Sequence, residues 1–220
     1  MQTKTALALL TTLSVVGLGF SASAKTVDKE KFTGSQAATS FSISQNVTCA
    51  DGSTKAVSGS GFLSASDSVT KETGTPKTTS NGVSIDIFNY SNGCTGSSVG
   101  FGEGGIANAY TPPNNNKLNS AGVSGSGTVQ DLDFGNTITI ALDLVFEGTG
   151  PLTSGKSHSK TKTTDGKGNP ITIEIDRNAN ANRSADVSGT ITLEGFELDP
   201  VFSSATLSSN ASTDITITKN

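Results

Sequence analysis

The stretch Thr137-Ile138-Thr139-Ile140-Ala141-Leu142-Asp143-Leu144-Val145-Phe146-Glu147 decides the fold class. Ile138, Ile140, Leu142, Leu144 and Phe146 make one row at a spacing of two, opposite Thr137, Thr139, Asp143 and Glu147. Successive side chains of a strand point to opposite faces, so this row marks a strand with one face in a core and one in water. The pattern recurs on both sides. Phe41, Ile43, Val47 and Cys49 alternate with Ser40, Ser42, Ser44, Asn46 and Thr48. Val83, Ile85 and Ile87 follow it, as do Ile171, Ile173 and Ile175 against Thr172, Glu174 and Asp176. Val187, Ile191 and Leu193, then Ile215 and Ile217, complete the set. One apolar and one polar face per strand is the pattern of antiparallel sheets, and no stretch has apolar residues at helical spacing.

Turn chemistry agrees. Asp51-Gly52, Asn92-Gly93, Asp165-Gly166 and Gly168-Asn169-Pro170 are sites where the chain tolerates a reversal. The expectation is one all-β domain, an antiparallel β-sandwich or barrel of about eight to ten strands. The polar segments 66–82 and 102–116 read as exposed loops. Val57-Ser58-Gly59-Ser60-Gly61 recurs as Val123-Ser124-Gly125-Ser126-Gly127. The flanks do not match, so this reads as coincidence in a Ser/Gly-rich chain.

The N-terminus reads as an export signal. Lys4 precedes an apolar run from Ala6 to Phe20, which ends in Ser21-Ala22-Ser23-Ala24. A charged start, an apolar middle and an A-x-A end are the three parts of a cleavable signal peptide. The run is shorter than the roughly 20 apolar residues of a membrane span, and no later segment is long enough. Residues 1–24 are thus expected to be removed near Ala24, leaving residues 25–220 as a single domain. That domain would be secreted, periplasmic or held at the cell surface.

Composition narrows the function. The whole chain is 33% hydrophobic and 15% charged, enough for a thin core. Its net charge of −4 becomes −5 once Lys4 is removed with the signal, which argues against nucleic acid or an anionic membrane as partner. Cys49 and Cys94 are the two cysteines, and in an exported chain an even pair reads as a disulfide. Two Cys and one His do not complete a tetrahedral zinc site without carboxylates.

Three stretches invite a chemical reading. Gly100-Phe101-Gly102-Glu103-Gly104-Gly105 fits G-x-G-x-x-G, but Pro112 and Pro113 leave no room for the helix a dinucleotide needs, so it reads as a glycine loop. Asp176, Asn178, Asn180 and Asn182, followed by Asp186, imitate the first half of a calcium loop. Ala181 and Val187 occupy the positions of its glycine and bidentate glutamate, so a plain polar hairpin loop is the simpler reading. Asp131, Asp133 and Asn136 form a second, weaker group. Lys156, His158, Lys160 and Lys162 alternate with Ser and Thr, giving either a basic stripe for an anionic surface polymer or an edge strand protected by charge. His158 is the single imidazole, so a Ser-His-Asp centre would have to use it. The chain has no Trp and only Tyr90 and Tyr110, which weakens an aromatic sugar platform. No catalytic constellation is recognisable and no cofactor is required; calcium is the one ion the pattern would admit.

The segments Phe41-Ser42-Ile43-Ser44-Gln45, Ile87-Phe88-Asn89-Tyr90-Ser91-Asn92-Gly93-Cys94-Thr95-Gly96 and Leu142-Asp143-Leu144-Val145-Phe146-Glu147-Gly148-Thr149-Gly150-Pro151-Leu152 resemble a family of uncharacterised secreted β-rich proteins of bacteria. Members often carry Trp near the position of Phe146. The resemblance implies an exported β-rich protein and carries over no activity or functional residue. The leading expectation is therefore a non-catalytic surface protein with an adhesive or structural role, its partner a surface polymer or a second copy of itself. The alternatives are a module that binds calcium or an anionic polymer, and an exported hydrolase.

Overall fold

The computed structural model describes residues 26–113 and 117–219, without the side chains of Thr26, Asn178, Ala179 and Ala211. The expected export signal over 1–24 lies outside the described residues.

Eleven strands are described and every pairing is antiparallel. They are β1 (Thr26–Thr48), β2 (Thr54–Glu72), β3 (Thr78–Asn92), β4 (Ser98–Ala107), β5 (Tyr110–Thr111), β6 (Ser120–Asp131), β7 (Thr137–Gly148), β8 (Thr153–Thr164), β9 (Pro170–Leu193), β10 (Phe196–Leu198) and β11 (Val201–Lys219). β1 pairs β2, then β3, β4, β6, β7, β9 and β11 follow in turn, and β11 pairs back onto β1. Eight strands thus close a ring. The count exceeds the expected eight to ten, and the closed ring corresponds to the barrel alternative. An eight-stranded ring is just wide enough for side chains to fill.

The ring is filled by the rows read from the sequence. Ile138, Ile140, Leu142, Leu144 and Phe146 are all buried, as are Phe41, Ile43, Ile85, Ile87, Ile191 and Leu193. Both copies of Val-Ser-Gly-Ser-Gly sit in strands of the ring. Val57 and Val123 point inward, and the glycines that follow lie where bulky inward side chains press. A Cβ on Gly61 would strike the Phe41 ring, and one on Gly127 would crowd Ile106.

Long strands replace the expected loops. β2 runs to Glu72 and β3 starts at Thr78, so the 66–82 loop shrinks to a short turn. The glycine stretch 100–105 lies inside β4, because Gly102 and Gly104 sit against Val129, where side chains would not fit. The Asp51-Gly52 turn forms as read, with Gly52 at φ +80°. So does the reversal at 165–169, where the Asp165 carboxylate accepts backbone N–H groups of Lys167 and Asn169. At Asn92-Gly93 the left-handed residue is Gly96 instead, because the Asn92 side chain caps the turn by accepting from the Cys94 N–H.

The ring does not end where its core ends. β1, β2, β9 and β11 run on beyond the buried rows, and β8 adds to β9 as an outer edge. The result is a projecting sheet in the order β8-β9-β11-β1-β2. Every residue of β8 is exposed.

Candidate functional site

A register shift gives the projecting sheet its character. β9 and β11 pair without a break, yet both shift by one residue against their outer neighbours. β9 shifts against β8 between Gly155 and Ser157, and β11 against β1 between Phe32 and Gly34. Strand side chains alternate, so a shift of one residue exchanges the two faces. Ala181 and Leu207 point into the ring. Past the shift, Ile171, Ile173, Ile175, Ile215 and Ile217 continue the ring's outer surface, and the charged residues continue its inner surface.

That inner-surface face carries both groups singled out in the sequence. Directly opposed residues share a face. One row across five strands reads His158, Asp176, Asp214, Lys31, Lys71; the next reads Lys160, Glu174, Thr216, Lys29. The face is striped, basic on β8, acidic on β9 and at Asp214, basic again on β1 and β2.

His158 stands between two carboxylates. Its Nδ1 lies 2.6 Å from Asp176 Oδ1 and its Nε2 lies 3.6 Å from Glu174 Oε1. Lys160 Nζ lies 3.5 Å from Glu174 Oε2. These side chains are about half exposed, and such pairs contribute little in water, roughly 0–1 kcal/mol each. Among the described residues, Lys156 and Lys162 have no carboxylate within ion-pair distance. The basic stripe is therefore half neutralised by β9. A Ser-His-Asp centre would need a hydroxyl at Nε2, and Nε2 faces Glu174.

The imagined calcium loop is a correction. Residues 176–186 lie inside β9, where Ile175, Ala185 and Ile191 need an extended chain to stay in their rows. At about 3.3 Å per residue, Asp176 and Asp186 stand roughly 33 Å apart along the strand. Asp176 pairs toward β8 and β11, whereas Asp186 sits opposite Glu147 in the ring. Asn180 and Asn182 lie between them, and Asn178 has no described side chain. One cation does not reach this set. Asp131, Asp133 and Asn136 do share a turn, in which Asp131 Oδ1 accepts the Asp133 N–H and Oδ2 is buried without a partner.

Sequence reasoning missed a carboxylate at the ring's other end. Glu194 accepts from Ser97 Oγ (2.6 Å), Tyr90 OH (2.9 Å), Asn92 Nδ2 (2.9 Å) and Thr95 Oγ1 (3.0 Å). Burial opposes its charge, but the bonds from Ser97, Tyr90, Asn92 and Thr95 prevail and hold the carboxyl below its ordinary value. Burial first, and then Glu194, push the Tyr90 phenol up. The Cys49–Cys94 disulfide closes beside this cluster, as read from the sequence. At the opposite end Ser35 Oγ bonds Asp67 and Tyr110 OH, and burial pushes the Tyr110 phenol up to about 12. The only cue in the sequence was Glu194-Gly195 after Leu193, which reads as a turn and not as a lock.

No protein-family model matches the chain, and no curated protein matches it. A crystal structure of a candidate AttH from Nitrosomonas europaea shares 12% identity, over 87% of this chain and 51% of that one, with a TM-score of 0.24. This chain spans about half the length of that protein, and the overlap is too loose for a shared architecture to be read from it.

Proposed function

We propose that the protein is an exported, non-catalytic β protein that acts at a cell surface through its projecting sheet, in an adhesive or structural role. The observation that carries this reading is the division of labour within the fold. The ring interior is packed with side chains, while the sheet beyond it presents two wide faces and the edge of β8 to solvent. The disulfide supports an oxidising compartment. The resemblance to secreted bacterial β-rich proteins belongs to the same proposal.

A second reading, binding of an anionic polymer, draws on the basic stripes. Lys156 and Lys162 on β8 flank the pairs held by β9, and Lys29, Lys31 and Lys71 form the other stripe. The test is binding of labelled protein to envelopes of the producing cells. Saturable binding that is lost on deleting 153–169 supports the surface role; no binding above that of an unrelated β protein contradicts it. Changing Lys156, Lys160 and Lys162 to Glu separates the two readings. Loss of binding favours an anionic polymer, and retained binding removes β8 charge from the account.

A further inference from the structure

We propose that His158, Glu174 and Asp176 form a site for one divalent transition-metal ion of the zinc class, which fastens the edge strand β8 to β9. The inference is independent of the surface role. Each of the three residues offers a ligand atom, and these atoms lie within 4.8 Å of one another. Metal–ligand bonds of about 2.0–2.2 Å set tetrahedral ligand atoms roughly 3.5 Å apart. Nδ1 faces Asp176 and Nε2 faces Glu174, so one ion takes one of the two nitrogens and the exposed carboxylate on the other side turns toward it.

Strand register supplies the convergence. His158 is directly opposite Asp176, and Glu174 is the diagonal neighbour, two residues along the same face. The pairing of β9 with β11 then sets Asp214 directly opposite Asp176. Two carboxylates facing each other across strands repel. The row therefore has an electrostatic fault on the side of Asp176 away from His158, and a divalent cation relieves it. Asp214 Oδ2 accepts the Ser212 hydroxyl, and water completes the coordination.

Chemistry selects the metal. One imidazole nitrogen with carboxylates suits zinc, nickel or copper, whereas calcium prefers six to eight oxygens. The ion displaces three contacts, the His158 Nδ1–Asp176 hydrogen bond, the His158 Nε2–Glu174 pair and the Lys160–Glu174 ion pair. All are exposed and individually weak. The expected calcium ligands are thus replaced by a different set that shares only Asp176.

The test is calorimetric titration of zinc chloride into the tag-free, disulfide-bonded protein, whose sole imidazole is His158. The expected result is one-to-one binding that excess calcium does not compete away. His158→Ala abolishes it, and Asp176→Asn and Glu174→Gln each weaken it by about tenfold or more. Lys160→Ala, which removes a competitor for Glu174, binds at least as tightly. Circular dichroism and urea unfolding establish that the variants fold, as exposed edge positions should. Imidazole NMR signals shift on zinc addition in the unaltered protein. No heat and no imidazole shift at millimolar zinc overturns the proposal, as does His158→Ala binding as tightly as the unaltered chain.

Discussion

Removing the Glu194 carboxylate should cost more than any ordinary surface change. In Glu194→Ala, four donors lose one acceptor group. Thr95 is exposed and recovers bonds from water, and Ser97 does so in part. Tyr90 and Asn92 do not, since each is only 1% exposed. Asn92 Nδ2 keeps a bond to Tyr90 OH, which limits the damage. A hydrogen bond to a charged group contributes about 1.5–3 kcal/mol, and a stranded buried donor costs about 1–3 kcal/mol. The sum, discounted for that residual bond, is a loss of about 2–4 kcal/mol. For a domain of this size it lowers Tm by roughly 4–16 °C. The assay is urea unfolding at constant m-value, with thermal scans beside it. Glu194 also holds φ +51°. Glu194→Gly relieves that strain and should be about 1 kcal/mol less damaging than Ala. The charge has its own signature. The folded carboxyl is held below its ordinary 4.5. Its contribution is therefore complete above that value and lost as pH falls through the lower folded value. The gap between the unaltered protein and Glu194→Gln should be constant near neutrality and close on acidification. A cost for Glu194→Ala below about 1 kcal/mol, or a gap that ignores pH, would refute the lock.

Three further outcomes are expected. Replacing Cys49 and Cys94 by Ser removes a link across a separation of 45 residues, which on loop entropy alone costs about 4 kcal/mol in chemical unfolding. Gly189→Ala should destabilise by about 2–4 kcal/mol, because Gly189 sits at φ +121° and its Cβ would run into the backbone carbonyl of Asp143; a neutral result in the same assay contradicts the ring closure between β7 and β9. Tyr110 has its folded value raised to about 12, so the stability it contributes is complete below pH 10 and lost as pH rises from there toward 12. Tyrosinate absorbance during an alkaline titration follows this, and Tyr110→Phe should flatten the loss.

Much of the ring was legible because its rows obey a single period. Ile138 to Phe146 needed no tertiary knowledge to be assigned inward. The closure of β11 on β1 was not legible, since pairing between the two ends of a chain leaves no local mark. The polar segments misled for a definable reason. Ser66 to Thr70, and the start of the 176–186 stretch, belong to a sheet wet on both faces, where no core demands apolar residues. Loop and strand then look alike in composition. The basic row 156–162 was correctly placed on an edge strand. Its neutralising partners on β9 lie across a hairpin and depend on register, which composition does not encode. The shift that exchanges the faces at 177–180 is equally silent in the sequence. It alone decides that Ile173 continues the outside of the ring and Glu174 the inside.

The central claim is that this fold works outside the cytoplasm. The direct measurement is the intact mass of the protein recovered from each fraction of the cells that produce it. The account predicts an extracytoplasmic species that begins at Lys25 and is two mass units lighter than its reduced form. A full-length chain with reduced cysteines, confined to the cytoplasm, would contradict it.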